Sequence, residues 1–386
     1  MTSLAAAMDT ASVASRIRDA RSRGATLRIA AGGTWLDAGR PCVTDAALDL
    51  SGLSGVLSYE PGDLTITARA ATSLAEIERV TAAEGQWLTL DPYGVLDGTI
   101  GATIATASAG PLASAYGTPR DHLLGCEFVT GAGDVVRAGG RVVKNVAGFD
   151  LVRLVTGSWG TLGALTQMTV RLRAQPEVDR TLFVRVPGSS QDAIASSAWR
   201  WTRVSDYRPL AAELLSPSLA RMLGGDADAQ LLVRLGGNAA FVRAAADSVA
   251  SLGEGREMSV DAWQQLRTAE PTSAIVFRAS ALPASIGGLF ARVAALAEAH
   301  GGYAHATVTR GIVRGVIPAP ADLHVLNEIR QSLAAIGTAA TVIGERMPAS
   351  LWSSASRATD SRSLAERIRK SFDPDRVLNP GVLGES

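Results

Sequence analysis

Residues 140–166 read GRVVKNVAGFDLVRLVTGSWGTLGALT. Gly157, Gly160 and Gly163 recur at three-residue spacing around Ser158 and Thr161. A short helical segment, 150–155 (DLVRLV), precedes them. A strand, 164–173 (ALTQMTVRLR), follows with Met168, Val170 and Leu172 on one face. The combination with KNVAGFD is too long for chance to explain well.

Two earlier segments share this character. LRIAAGGTW (27–35) is a strand end followed by two glycines and a hydroxyl, where exposed N–H groups can form an anion-binding nest. By itself it also reads as a Gly-Gly turn. GTIGATIATASAGPLASAYG (98–117) places Gly98, Gly101 and Gly110 where side chains would crowd a phosphate. Its residues 99–107 predict a helix whose N-terminus favours negative charge. By itself it also reads as a buried small-residue helix.

The commoner nucleotide and nucleophile motifs are absent. There is no GxxxxGK[ST] and no GxGxxG between strand and helix. Thr156 stands two residues before Ser158, where a nucleophile elbow needs Gly.

Elsewhere strand and helix signals alternate. Residues 10–23 predict a helix with Val13, Ile17 and Ala20 inward and Gly24 as its stop. Segments 55–60 and 64–70 form a hairpin about Pro61-Gly62-Asp63, followed by a helix that starts at Ser73 with a capping box to Glu76. Segments 123–130 and 135–137 form a second hairpin. Gln175-Pro176-Glu177 marks a boundary. Beyond it, strands are predicted at 181–186, 209–215, 230–235, 273–279, 303–317 and 339–344. Helices are predicted at 190–204, 239–252, 261–269, 285–300 and 322–336. This order implies an α+β sheet domain with helices on one face. A last helix, capped by Ser363 and Glu366, runs to about Phe372 and leads into an apolar-anchored tail.

Composition narrows the chemistry. The 386 residues carry 37 Lys+Arg against 37 Asp+Glu, so there is no broad basic field for nucleic acid. Cys42 and Cys126 lie far apart, which excludes an iron–sulfur cluster and a disulfide scaffold and fits a reducing compartment. Four histidines, at 122, 300, 305 and 324, leave little for a metal centre, and none is expected. A cofactor or partner must therefore bring most of any demanding chemistry. The N-terminus lacks the basic region of a secretory signal, and the uncharged stretch 98–119 is too poor in Leu, Ile and Phe to span a bilayer.

In order, the three segments resemble the FAD-binding domain of the vanillyl-alcohol oxidase/p-cresol methylhydroxylase (PCMH) superfamily. KNVAGFDLVRLVTGSWGTLG closely resembles the KNVAGYD…L..GS.GTLG block of the FAD-binding subunit of bacterial glycolate oxidase. The tail FDPDRVLNPGVL (372–383) resembles that group's F-D-P-x-x-[IL]-[LF]-N-P-G ending. The likeness covers about residues 25–176 and the tail, and the middle only in architecture.

The resemblance implies an α+β protein: a PCMH-type FAD-binding domain of two α/β subdomains over 1–176, and a second α+β domain, an antiparallel sheet covered by helices, over 177–352. The latter would act as a cap or partner-binding domain. A C-terminal helix and tail, 353–386, would pack back on the FAD domain. The implied cofactor is noncovalent FAD. Ala31, Gly32, Gly33, Thr34 and Trp35 would wrap its pyrophosphate from one side, and Gly98, Thr99, Gly101, Ser108 and Gly110 from the other. Gly160, Thr161, Gly163 and Leu165 would line the adenosine and ribityl region, while Tyr116 and Asp121 match the family's YG…D stretch near the flavin. Asn145 and Asp150 would hold their loop together. Ala31 and Ala102 replace glycines frequent in relatives. The 31–35 loop has no His or Cys for a covalent flavin link.

Members of this superfamily that oxidise D-2-hydroxyacids as one polypeptide carry HAGDGNxH and GEHGIG motifs. Here GGYAHATVTRG (301–311) and IGERMP (343–348) stand instead, with His305 and Glu345 as the only echoes. Trp159 replaces the Glu usual in catalytic relatives. His300 is expected at a helix C-terminus, His324 on a solvated helical face, and His122 in a structural role near the flavin loops. These absences point to a companion flavin subunit acting with a catalytic flavoprotein and an iron–sulfur subunit in oxidation of glycolate to glyoxylate. Such a complex would be cytoplasmic, with peripheral contact to the inner face of the cell membrane through its partners. A self-sufficient FAD-dependent oxidase of a small hydroxyacid or alcohol, and a scaffold subunit that has lost FAD, are the alternatives.

Overall fold

The computed structural model describes residues 2–3, 6–95, 97–140, 150–185, 191–204, 207–225, 230–319, 322–354 and 362–384. Asn145 and most of the KNVAGFD block lie outside them. The protein forms two compact units: Met1–Gly110, Gly117–Gln175 and Ala358–Ser386 in the first, Pro111–Tyr116 and Pro176–Arg357 in the second.

The first unit opens with β1 (Thr2–Ser3), α1 (Thr10–Ser22), β2 (Leu27–Ala30) and β3 (Ala46–Asp49). The strands make a parallel sheet in the order β1-β3-β2. Asp9 caps α1: its carboxylate accepts the Ser12 N–H at 2.7 Å, and Ser12 Oγ accepts the Asp9 N–H in return. The helix buries Val13, Ala14, Ile17 and Ala20 against Leu27, Leu48 and Leu50. Gly24 ends it at φ +61°.

Then come β4 (Val56–Glu60), β5 (Thr65–Arg69), α2 (Leu74–Ala82), β6 (Gln86–Trp87), α3 (Ile100–Thr106), α4 (Ala113–Tyr116, in the second unit), α5 (Pro119–His122), β7 (Leu123–Val129), β8 (Val135–Gly139), α6 (Leu151–Val155), β9 (Ala164–Arg171) and β10 (Arg173–Ala174). Five strands form an antiparallel sheet in the order β4-β5-β9-β7-β8, and β6 pairs with β10. Ile66, Phe128, Met168 and Val170 from that sheet pack with Ile77 of α2 and Ile100 and Ile104 of α3. Glu127 is buried on β7 yet fully partnered: it accepts from Thr10 Oγ1 (2.6 Å), Thr166 Oγ1 (2.9 Å) and Arg137 Nε (2.7 Å). It thereby ties α1, β8 and β9 together.

The second unit runs β11 (Val178–Arg185), α7 (Gln191–Val204), β12 (Ala211–Leu215), α8 (Pro217–Met222), β13 (Gln230–Gly237), α9 (Ala239–Val249), β14 (Glu254–Met258), α10 (Asp261–Thr268), β15 (Ile275–Ser280), α11 (Ile286–Ala299), β16 (Tyr303–Thr307), β17 (Ile312–Ile317), α12 (Leu323–Gly337) and β18 (Thr341–Arg346). All eight strands are antiparallel, in the order β14-β11-β13-β12-β16-β17-β15-β18. Strand alternation sends Leu214, Val233, Phe277, Ala304, Ala306 and Val313 into one apolar core with α7, α9, α11 and α12. The expected α+β architecture, an antiparallel sheet covered by helices, is what the protein adopts.

Three details differ from expectation. The predicted 303–317 strand is a hairpin, because Gly311 takes φ +64° and turns the backbone between β16 and β17. Strands β1, β3, β6 and β14 and helices α4, α5 and α8 are additional to the predicted elements. β14 (EGREM) is an exposed edge strand with no apolar alternation, and α8 is only six residues long. The last helix, α13 (Arg362–Phe372), contains Ser363 within its first turn, so Ser363 is not its cap.

Candidate functional site

One cleft, wholly within the first unit, is lined by the end of β2, the 31–36 loop, α3, the Trp159-Gly160 turn, the start of β9 and Asn379. The cleft is partly open to solvent. Of the expected site residues, Ala31, Gly32, Gly33, Thr34, Trp35, Thr99, Gly101, Gly160, Gly163 and Leu165 line it.

The 31–35 loop brings the chemistry. The backbone N–H groups of Gly32, Gly33, Thr34 and Trp35 donate to no acceptor among the described residues. Gly32 and Gly33 are exposed, so solvent alone satisfies these donors. Gly33 sits at φ +76°, in the left-handed region that favours glycine. An unpartnered run of backbone N–H groups at a cleft wall is a nest for an anion.

α3 contributes differently from expectation. Its first N–H groups are already used: Ile100 donates to Thr72 O, Gly101 to Ala70 O, Ala102 to Thr99 Oγ1 and Thr103 to Thr99 O. It offers a wall of Ala102, Ala105 and Thr106 rather than free donors. The glycines there also have packing reasons. A Cβ on Gly101 would lie 2.7 Å from Ala70 O, and one on Gly110 would lie 2.0 Å from Asp91 O. On Gly98 it would meet, among the described residues, only Val95 O, at 3.5 Å. Gly163 lies against Phe128 and Val129 of β7.

The remaining expected residues stand off the cleft. Gly98 and Gly110 do not line it. Ser108 donates its N–H to Thr106 Oγ1, and Thr161 Oγ1 donates to Ser158 O within its own turn. Tyr116 belongs to α4 in the second unit. Asp121 accepts the N–H and hydroxyl of Thr118, both at 2.8 Å. Burial alone would raise the Asp121 pKa, but the Thr118 bonds outweigh it and lower the value. Asp150 caps α6 by accepting the Arg153 N–H.

The lining residues beyond the expected set include Arg28, Trp159 and Asn379. Arg28 is 9% exposed, donates to Leu36 O, and has no carboxylate partner among the described residues. Alternation along LRIA could have flagged it as a cation beside the glycine loop. The N-P-G ending and the expected docking of the tail bring Asn379 to the FAD domain, but not to Ile29 in particular.

Residues 2–139 match the family model of the FAD binding domain. The first unit carries an FAD binding domain. The cleft's residues fit that cofactor: the free N–H run suits a diphosphate, and the small side chains of α3 leave room beside it. Among curated proteins, this one is 37% identical over 231 residues to glycolate oxidase subunit GlcE of Escherichia coli (strain K12), covering 59% of this chain and 60% of that one. It is 35% identical over 147 residues to glycolate oxidase subunit GlcD of Bacillus subtilis, covering 38% of this chain and 31% of that one. The matched part thus spans 60% or less of these two relatives' lengths. Among solved structures, an alkyldihydroxyacetonephosphate synthase superposes with TM-score 0.71 at 16% identity, covering 97% of this chain and 76% of that one. That likeness speaks to fold alone.

Outside the FAD binding domain, His305 on β16 and Glu213 on β12 face each other across the second unit's sheet. His305 Nδ1 lies 2.7 Å from Glu213 Oε2, with both side chains buried. Glu345, the other motif echo, is held by Arg314 and Arg278. Burial would raise its pKa, but those guanidiniums hold it below the usual value. His300 follows α11 directly before Gly301, and His324 is exposed beside Glu328. His122 is fully buried, and desolvation lowers its pKa. No described helix is long and apolar enough to cross a membrane.

Proposed function

We propose that this protein is the FAD-binding subunit of a glycolate oxidase-type complex, working with a catalytic flavoprotein and an iron–sulfur subunit in oxidation of glycolate to glyoxylate. The observation that carries the reading is the run of unpartnered N–H groups at Gly32–Trp35, in a cleft of an FAD binding domain. The likeness to GlcE supplies the complex and the substrate. Bound FAD supplies two-electron redox chemistry; the protein's part is binding, orientation and exclusion of water. Gly32–Trp35 bind the diphosphate, α3 and Leu165 shield it, and Trp159-Gly160 close one side. In this reading the flavin is held noncovalently; the 31–35 loop has no His or Cys, and no His, Cys or Tyr is among the described residues that line the cleft. Thr99 and Gly101 shape the opposite wall; Gly98, Ser108 and Gly110 support it from behind. Residues 177–352 act as a cap or partner-binding domain. The site of action is the cytoplasm, with the membrane's inner face reached through partners.

Purifying the full-length protein tests this. A yellow preparation with a flavin spectrum that glycolate alone does not bleach is expected. Rapid bleaching by glycolate without partners would identify a self-sufficient oxidase. A colourless protein that takes up no added FAD would identify a scaffold.

A further inference from the structure

The FAD cleft is built from two stretches far apart in sequence, the β2 end at 27–35 and the turn at 158–163. Among the described residues no backbone hydrogen bond joins them. The tail does. Leu27 N–H donates to Val377 O (2.7 Å) and Asn379 N–H to Leu27 O (2.9 Å), so the tail adds to β2 as a short parallel bridge at Leu378. The Asn379 side chain then reaches both walls: Oδ1 accepts the Ile29 N–H at 2.8 Å, and Nδ2 donates to Trp159 O at 2.7 Å. Asn379 is 5% exposed and lines the cleft. A Cβ on Gly160 would stand 2.8 Å from its Nδ2, so the turn and the amide are fitted to each other.

The tail is anchored on its other side as well. Asp373 is fully buried and accepts the Val377 N–H (2.8 Å) and the Leu378 N–H (3.0 Å), while Arg369 donates to Leu378 O (2.8 Å). Gly131 N–H donates to Phe372 O at 2.9 Å. These bonds fix the tail up to Leu378, immediately before Asn379, so the amide can set the spacing of the two walls.

We propose that Asn379 is a positioning residue for the flavin, a latch through which tail docking and FAD binding stabilise each other. The inference rests on the FAD reading above. Its physical content is linkage: a ligand that needs both walls in place favours the docked tail, and the docked tail favours the ligand by the same factor.

The test uses the full-length protein and FAD as the probe. In the wild type, FAD at a hundredfold excess over its Kd should slow amide exchange at Val377, Leu378 and Asn379 by up to about 100-fold, the mass-action limit. Asn379→Ala should weaken FAD binding at least tenfold and remove that protection. A merely structural Asn379 would lower the apo melting temperature yet leave tail exchange insensitive to FAD in the wild type. Wild-type protein that binds FAD with unchanged tail exchange overturns the latch alone. Wild-type Kd in folded Asn379→Ala does the same. Wild-type protein that binds no FAD overturns both the cofactor reading and the latch. Should Asn379→Ala fail to fold, the wild-type exchange experiment decides by itself.

Discussion

The indole rings of Trp35 and Trp159 meet edge to face, with centroids 6.3 Å apart and planes at 60°. One ring stands on the donor loop and the other on the turn opposite, so the contact spans the cleft that both line. Trp159 makes it from φ +54°, a left-handed conformation that costs a bulky residue about 1–2 kcal/mol. An aromatic pair returns about 0.5–1.5 kcal/mol beyond its burial. Trp159→Gly also gives up the burial of a half-buried indole, so it is expected to lower stability, with relief of the positive φ offsetting part of the loss, while weakening FAD binding. Chemical denaturation and FAD titration of the variant check this; a stability loss with unchanged FAD affinity would contradict it.

Gly160→Val is expected to abolish FAD binding. The position has φ +71°, and a Cβ would press on Asn379 Nδ2 and on Ile29 Cδ1 at 2.9 Å. The damage runs through the tail and β2 as well as through the cleft itself. Stoichiometric flavin absorbance in the purified variant would remove Gly160 from the site.

Two glycines that look alike in the sequence should behave differently. Gly110→Ala forces a methyl against Asp91 backbone and is expected to destabilise the first unit by about 1–3 kcal/mol. Gly98→Ala meets nothing closer than 3.5 Å among the described residues and should be nearly neutral. Paired melting curves distinguish them, and equal effects would refute the packing reason given for Gly110.

Acid should loosen the first unit through Glu127. Burial works to raise its pKa, but bonds from Thr10, Arg137 and Thr166 outweigh that and hold it below the ordinary glutamate value of 4.5. A lowered carboxylate contributes stability that is complete above the unfolded value and is lost as pH falls through the folded one. Stability should therefore decline below about pH 4.5, and Glu127→Gln should flatten that decline. An unchanged pH profile in Glu127→Gln would assign acid unfolding to other groups.

His305→Ala removes the hydrogen-bond partner of the buried Glu213 side chain, a loss of about 1–3 kcal/mol for a buried polar group left unsatisfied. The expected phenotype is a less stable second unit with unaltered FAD affinity and nearly unchanged turnover of the assembled complex. Calorimetry, FAD titration and turnover normalised to folded protein separate the outcomes. A large loss of turnover in folded protein would place His305 in the chemistry.

Local order is legible in the residues themselves. Apolar periodicity and glycine stops locate α1, the β4–β5 and β7–β8 hairpins and most of the second unit's alternation, because those signals act within a few residues. The LRIAAGGTW stretch can be read as a strand end opening into a nest for the same reason: donors, glycines and strand are contiguous. What the sequence could not contain is the meeting of distant segments. Glycines at 101 and 110 look like ligand clearance, and only the neighbouring Ala70 and Asp91 carbonyls reveal close backbone crossings. The free donors of the 31–35 loop are distinguished from the spent ones of α3 only by locating their acceptors in space. Asn379 lies 350 positions from Ile29 and 220 from Trp159, and Glu213 lies 92 from His305. Such pairings follow from strand order and tail docking, which are cooperative properties of the whole fold, so the sequence by itself determined the pieces of the cleft and the tertiary structure decided how they close on one another.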